Sequence, residues 1–404
     1  MIIILSLLII GILSNYSGVI AEKLKLPSLI GMILLGMFIG PSYLNIVPLQ
    51  TLEIASTIKD IALVIVLFIG GLGISVSQIK QIGRPAMLLS VIPATLEGFI
   101  IAFLCMCFLD FNFIQGAILG FMIAAVSPAV LIPSMISLIN RKVGQDKAIP
   151  QMLLVGASAD DTIAITLFTT FLGIYLQGNS ISITSQLISI PITIFTSIVL
   201  AFILFKVSKV ILNNINNDYI KVGFVFIITL LMRAFEKVTH TEYFNSLLSV
   251  MIYGFFIRNY ITDSATVILD KMNGIWKYGK LYLFSFVGMA INPNLVGEYF
   301  FIGVLILSIS LTIRSIGVLI ALIGTNLNIK ERLFCVIAYL PKATVQSAKA
   351  SIPLQMGVMG GEIMQAITIL SVLITAPIGA IGIRLSSDRL LNTEDIIVTE
   401  SYLN

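Results

Sequence analysis

Two adjacent carboxylates, Asp160 and Asp161, lie inside the otherwise apolar run 155–168, Val-Gly-Ala-Ser-Ala-Asp-Asp-Thr-Ile-Ala-Ile-Thr-Leu-Phe. In a membrane-crossing helix each ionised Asp costs about 3 kcal/mol on insertion scales, so a pair of them requires a partner or a use. The chemistry open to such carboxylates is the binding and release of a proton or a cation. Neighbouring helical positions project about 100° apart, so the two cannot meet one small point on a single face. One faces an ion path, and the other meets a neighbouring helix or a second ligand. Ala157, Ser158 and Ala159 are small enough to admit another backbone closely. Burial of two acids for folding alone is disfavoured, because an apolar pair would cost less.

Four more ionisable residues fall well inside apolar runs: Glu97, Arg314, Lys342 and Lys349. Glu97 and Arg314 sit near the centres of their own runs, and each would be prohibitively unpaired alone in a bundle interior, so they are expected to pair as a structural clamp. Arginine keeps its proton at any accessible pH and holds a carboxylate without delivering a proton. Ser127-Pro128 and Pro341-Lys342-Ala-Thr344-Val-Gln346 each place a proline near mid-span beside polar side chains. Together they predict two broken helices whose freed backbone groups line a cavity, with Lys342 offsetting the carbonyl ends or the carboxylates. Lys349, about two turns further on, is expected to snorkel toward the outer interface.

The elements that position these residues follow from composition. Of 404 residues, 58% are hydrophobic and 11% charged, with a mean hydropathy of +1.05, whereas soluble domains carry about 25% charged residues. This is a polytopic, all-α membrane protein: the apolar runs approach the roughly 20 residues a bilayer requires, and none has a barrel strand's period of two. Turn signals divide the chain into about thirteen spans, near 2–21, 27–47, 60–75, 86–108, 114–138, 150–176, 184–212, 219–235, 244–258, 279–292, 299–323, 331–354 and 361–384. Spans 5 and 12 are the broken ones. Of the 24 Lys and Arg, 18 fall in connections after odd-numbered spans or in the tail, and three, Lys59, Arg233 and Lys237, after even-numbered spans. The positive-inside rule then places the N-terminus outside and the C-terminus in the cytoplasm. The apolar start, without a basic flank, reads as a retained helix rather than a cleaved signal. Val267, Ile268, Met272, Ile275 and Trp276, at near-helical spacing, predict an interfacial amphipathic helix linking two halves.

The halves are related. The segment 28–41 aligns without gaps on 246–259, 218 positions later, sharing Ser, Leu, Gly, Phe and Ile at five places. The segment 69–74 meets 286–291 at an offset of 217, and the same offset carries Glu97 onto Arg314. Span 2 matching span 9, and span 3 matching span 10, is a shift of seven crossings, so the second copy is inverted. Inverted repeats of this kind mark secondary transporters, with the substrate site at the repeat interface near the midplane.

The Asp160-Asp161 pair, Ser127-Pro128, Gly70-Gly71-Leu72 and Leu340-Pro-Lys-Ala-Thr-Val-Gln346 together resemble the monovalent cation:proton antiporters, closest to the sodium/proton antiporters of solute carrier family 9, subfamily B. The likeness covers roughly 27–383, and the Asp pair and the Pro-Lys-Ala-Thr-Val-Gln run are its specific parts. The resemblance implies a homodimer with a dimerisation domain and a six-helix core, an elevator-like movement, and Asp161 as the essential carrier. It also implies a departure: electrogenic members with an Asp pair carry a lysine where this chain has Arg314, and an Arg314 already paired with Glu97 points to the electroneutral kind.

The expected function is therefore sodium (or lithium)/proton antiport at the cell (inner) membrane, in pH homeostasis. Asp161, Asp160, Ser127 and Thr344 hold the ion; Glu97, Arg314 and Lys342 tune the core; Pro128 and Pro341 break the helices. Sodium sits at Asp160 and Asp161 as cargo, and no cofactor, nucleic acid or enzymatic reaction is expected. The alternatives are a potassium/proton antiporter, since Asp ligands alone do not set cavity size, and a sodium-coupled organic-solute symporter. An intramembrane aspartyl protease is disfavoured, because adjacent acids cannot form its facing dyad. Residues 1–384 read as one transporter unit (repeat one about 1–176, linking helices about 184–235, repeat two about 219–384), and 385–404 as a disordered cytoplasmic tail. Cys105, Cys107 and Cys335 read as small core hydrophobes, and the sole histidine, His240, as a residue of a polar connection.

Overall fold

The structure is a computed structural model and describes residues 2–24, 26–177, 183–239, 243–290, 297–343, 346 and 349–392. Among these, every regular element is a helix: α1 Ile2–Lys23, α2 Ser28–Ile39, α3 Leu49–Glu53, α4 Ala55–Leu72, α5 Val76–Phe108, α6 Phe113–Ala124, α7 Pro128–Asn140 and α8 Ile149–Gln177. The second part of the chain continues with α9 Ile183–Asn214, α10 Asp218–Thr239, α11 Ser246–Tyr260, α12 Thr262–Met289, α13 Phe300–Ala321 and α14 Ile329–Ala338, then α15 Ile352–Gln355 and α16 Gly361–Leu390. Among the described residues seven stretches are long and apolar enough to cross a membrane by themselves, so the chain is a multi-pass membrane protein.

Span 5 divides into α6 and α7. Asn112 and Gln115 cap the start of α6 reciprocally, and Pro128 at the first position of α7 forces the residues before it out of helical geometry, leaving Ala125 and Ser127 extended. Span 12 behaves alike: Asn328 and Glu331 form the capping box of α14, which ends at Ala338, and Pro341 cannot continue it.

Two expectations fail here. The predicted amphipathic linker is not a separate interfacial helix: it is the first half of α12, continuous with span 10, and Ile268, Met272 and Trp276 are buried against protein. Periodicity reveals an apolar stripe without saying whether lipid or protein covers it. The tail is shorter than read, because α16 runs on to Leu390, where Asp388 pairs with Arg141 and the Ser387 hydroxyl bonds the Arg384 carbonyl. Residues 393–404 and His240 lie outside the described residues. Cys105 and Cys335 are buried, but Cys107 is exposed.

Around α5 pack α6, α8 and α13, with α7, α14 and α16 completing that group; α2, α4, α11 and α12 pack among themselves, with α1, α9 and α10 around them. In the second group two crossings are backbone-close. A Cβ on Gly36 would strike the Ser285 carbonyl and one on Gly288 the Ile33 carbonyl, so α2 and α12 meet through glycine on both sides. Gly71 and Gly254 do the same for α4 and α11, against the carbonyls of Met251 and Phe68.

Candidate functional site

At the two helix breaks, the chain's freed backbone groups find partners across the gap. The Ser127 N–H donates to the Pro341 carbonyl at 2.8 Å, tying one break to the other. The C-terminal carbonyls of α6 would be orphaned in an apolar interior. Gln346 Nε2 donates to Ala125 O at 2.7 Å, Lys342 Nζ to Ala124 O at 3.2 Å, and Arg314 Nη1 also bonds Ala124 O. Three side chains distant in sequence thus close one helix end. The Ala343 N–H donates to Gln346 Oε1 at 3.0 Å and the Lys342 N–H to Thr375 Oγ1 of α16 at 2.8 Å, which hold the extended segment in place.

Arg314 is the hub. Its Nη1 donates to Glu97 Oε2 at 2.7 Å, its Nη2 to Asp160 Oδ2 at 3.2 Å and its Nε to the Tyr339 carbonyl at 2.7 Å, while its guanidinium lies over the Tyr339 ring. Lys342 Nζ donates to the same Glu97 oxygen at 2.6 Å. Glu97, Asp160, Arg314 and Lys342 are all fully buried, where only this dense pairing makes their charges tolerable. Arg314 therefore does more than clamp Glu97: it also holds the first Asp of the pair. The Val126 N–H, freed by the break, donates to the same Asp160 oxygen at 2.7 Å.

Asp161 stands apart. It is 5% exposed, and its Oδ1 has no hydrogen-bond partner among the described residues. Lys349 does not snorkel away as its sequence position predicts: it is half-buried, with its ammonium over the Phe168 ring, two turns beyond Asp161 on α8. Glu97 Oε1, Asp160 Oδ1, Ser127 Oγ and Tyr339 Oη are likewise buried without partners, so unused polar atoms collect around this crossing. Such atoms are what a desolvated cation or a bound proton requires.

Of the sequence-predicted site residues, Asp160, Glu97, Arg314 and Lys342 are brought into one bonded network, with Pro128 and Pro341 beside it. Ser127 is buried at the break, Asp161 lies next to the network without joining it, and Thr344 lies outside the described residues. Tyr339, Thr375 and the backbone of Val126 and Ala124 were not singled out from the sequence. A buried Tyr in an apolar run carries no charge signal, and the backbone groups become visible only once the break is located. Gly156 also belongs here, because a Cβ there would collide with the Tyr339 hydroxyl one turn before Asp160.

The sequence pattern of the family described as "Sodium/hydrogen exchanger, transmembrane" matches residues 4–385. Human sodium/hydrogen exchanger 9B2 is 30% identical over 383 residues, which cover 91% of this chain and 70% of the human protein. Sodium/hydrogen exchanger 9B1 of Mus musculus is 26% identical, covering 92% and 67%. Among solved structures, the sodium proton antiporter MjNhaP1 of Methanocaldococcus jannaschii superposes with a TM-score of 0.73 at 21% identity, covering 96% of this chain and 99% of that one, so the two share a fold. A match running through nearly all of the helices, including those that carry the buried charge network, means that this chain belongs to the sodium/hydrogen exchanger family.

Proposed function

We propose that this protein exchanges sodium or lithium for protons across the cell membrane, one for one, with the two ions competing for Asp161. The observation that carries the reading is the charge balance of the buried site. Arg314 and Lys342 offset Glu97 and Asp160 through direct bonds, and Asp161 is left with an oxygen that no group among the described residues holds. One proton or one sodium ion neutralises that carboxylate, and a neutral site can cross an apolar barrier that an empty, charged site cannot. Asp160 assists from its tether, and Ser127 and Thr344 supply further oxygens.

The helices around α5 then act as the moving core, and those around α2, α4, α11 and α12 as the dimerisation side, in an elevator-like exchange between outward and inward exposure. Thirteen crossings with the C-terminus in the cytoplasm, built as two inverted repeats, are the topology we adopt. The repeats are supported by the glycine crossings: the offsets of 218 and 217 carry Gly36 onto Gly254 and Gly71 onto Gly288, so the contact of α2 with α12 maps onto that of α11 with α4.

A second reading turns on Lys349, whose ammonium lies over the Phe168 ring two turns beyond Asp161 on α8. If Lys349 releases a proton when sodium takes Asp161, two protons move per sodium ion and net charge crosses. Proteoliposomes with an imposed membrane potential decide between the two. Sodium-dependent proton flux that voltage neither drives nor alters supports one-for-one exchange, and flux driven by voltage alone rejects it. Substituting potassium for sodium in the same assay tests the potassium/proton alternative.

A further inference from the structure

Asp161 is flanked on α8 by two hydroxyls that reach the opposite group of helices. Ser158 Oγ, three residues before it, lies 3.2 Å from Met251 Sδ on α11, and Thr162 Oγ1, immediately after it, accepts a hydrogen bond of 2.8 Å from Asn245 Nδ2. Among the described residues these are the side-chain hydrogen bonds that join α8 to α11. Asn245 is the N-cap of α11: its Oδ1 accepts from the Leu248 N–H at 2.9 Å, and its own N–H donates to Ser197 Oγ on α9 at 3.0 Å. The amide is thus fixed at one end, and its NH2 is aimed at the carrier helix.

The adjoining residue is pinned just as firmly. The Ser246 hydroxyl bonds Glu236 of α10, which accepts from Arg233 Nη1 at 2.5 Å, and Arg233 Nη2 donates to Asp60 of α4 at 2.7 Å. Lys237 pairs with the other oxygen of Asp60. Arg233 and Lys237 are two of the three basic residues that the charge asymmetry assigns to the outer side, and Lys59, beside Asp60, is the third. The opposite, basic side holds an open cleft between the two helix groups, lined by Glu22, Ser137, Arg141, Trp276, Lys280 and Arg384.

We propose that Asn245 is a positioning residue that latches the carrier helix: its bond to Thr162, anchored by the Asp60, Arg233, Glu236 and Ser246 network, holds the outer side of the ion path shut while the cytoplasmic side stands open. The latch rests on the antiporter reading for its sidedness. Displacing α8 along α11 breaks both flanking bonds at once, so release of the latch accompanies movement of Asp161. A hydrogen bond contributing about 1 kcal/mol shifts a two-state equilibrium about fivefold.

Asn245→Ser keeps a capping oxygen for α11 and removes the donor to Thr162, while Thr162→Val removes the acceptor at nearly constant shape. In a background with Cys105, Cys107 and Cys335 replaced by alanine and Ser158→Cys as reporter, a membrane-impermeant maleimide is applied from the outer side. Asn245→Ser and Thr162→Val are each expected to raise the labelling rate about fivefold, their combination to add nothing further, and Thr162→Ser to leave it at the parent rate. Equal rates in all variants, or additive effects of the pair, overturn the latch. In sodium-dependent proton transport by the same variants, the half-saturating sodium at the cytoplasmic face rises by a similar factor without matching loss of maximal rate; an unchanged value counts against the latch. Absence of exchange in the wild type overturns the antiporter reading, and the labelling experiment still decides the latch.

Discussion

Arg314 Nη2 and Asp160 Oδ2 are joined at 3.2 Å, and this one contact makes a clamp between two helices also a support for the Asp160–Asp161 pair. The guanidinium reaches Glu97, Asp160 and two backbone carbonyls at once because its donors lie in a rigid planar fork. An ammonium cannot span the same set.

Removal of that hub should cost the fold more than any other substitution at the site. Arg314→Ala leaves Asp160 a buried charge held only by the Val126 N–H, leaves Glu97 to Lys342 alone, and is expected to destabilise the protein by about 3–5 kcal/mol. Arg314→Lys should recover part of this. Thermal unfolding in detergent checks both, and a melting temperature for Arg314→Ala equal to that of the wild type would contradict the network.

The two aspartates should separate stability from transport. Asp161→Asn is expected to abolish sodium-dependent proton movement in everted vesicles while leaving the melting temperature close to wild type, because Asp161 Oδ1 has no hydrogen-bond partner among the described residues to lose. Asp160→Asn weakens the bond to Arg314 and should lower the melting temperature as well as the rate. Exchange retained in Asp161→Asn would remove Asp161 as the carrier.

The proposed competition at one carboxylate fixes the sign of the pH dependence it predicts. Protonation empties the sodium site, so lowering the pH below the site's titration should raise the half-saturating sodium concentration by up to tenfold per pH unit and leave the maximal rate, reached at saturating sodium, unchanged. Initial rates at several sodium concentrations and pH values check this. A maximal rate that falls with pH at constant half-saturation would mean separate proton and sodium sites.

The glycine crossings give a test of the internal symmetry. Gly36→Ala and Gly254→Ala each drive a methyl group into a backbone carbonyl and should destabilise by similar amounts, about 1–3 kcal/mol. Gly223 on α10 and Gly274 on α12 face open space, so alanine there should be neutral or stabilising. Melting temperatures of the four variants, with losses confined to the first pair, are the expected outcome.

Much of this site was legible in the sequence because charge in an apolar run is costly and therefore informative. Asp160, Asp161, Glu97, Arg314 and Lys342 each stood out by that cost, and the prolines at 128 and 341 located the breaks. The third contact of Arg314 did not stand out, since a symmetry offset pairs it with Glu97 and says nothing of Asp160. Lys349 was misplaced because a lysine near a span's end has two apolar-stemmed options, reaching outward or folding inward over an aromatic ring, and only packing chooses between them. The first half of α12 shows the same limit, as its stripe fits either lipid or the helices that cover it.

The closure of α6 also bears on how the protein is made. The end of α6 at Ala124 is completed by Arg314, 190 residues later, and by Lys342, 218 residues later. At roughly 5–20 residues per second of synthesis, about 10–40 s separate insertion of the first break from arrival of its partners. During that interval the Ala124 carbonyl at the end of α6 lacks both of these partners, at a depth where an unsatisfied carbonyl is costly. The two parts of the chain complete this helix end only together, and a chain truncated before α13 would lack both partners.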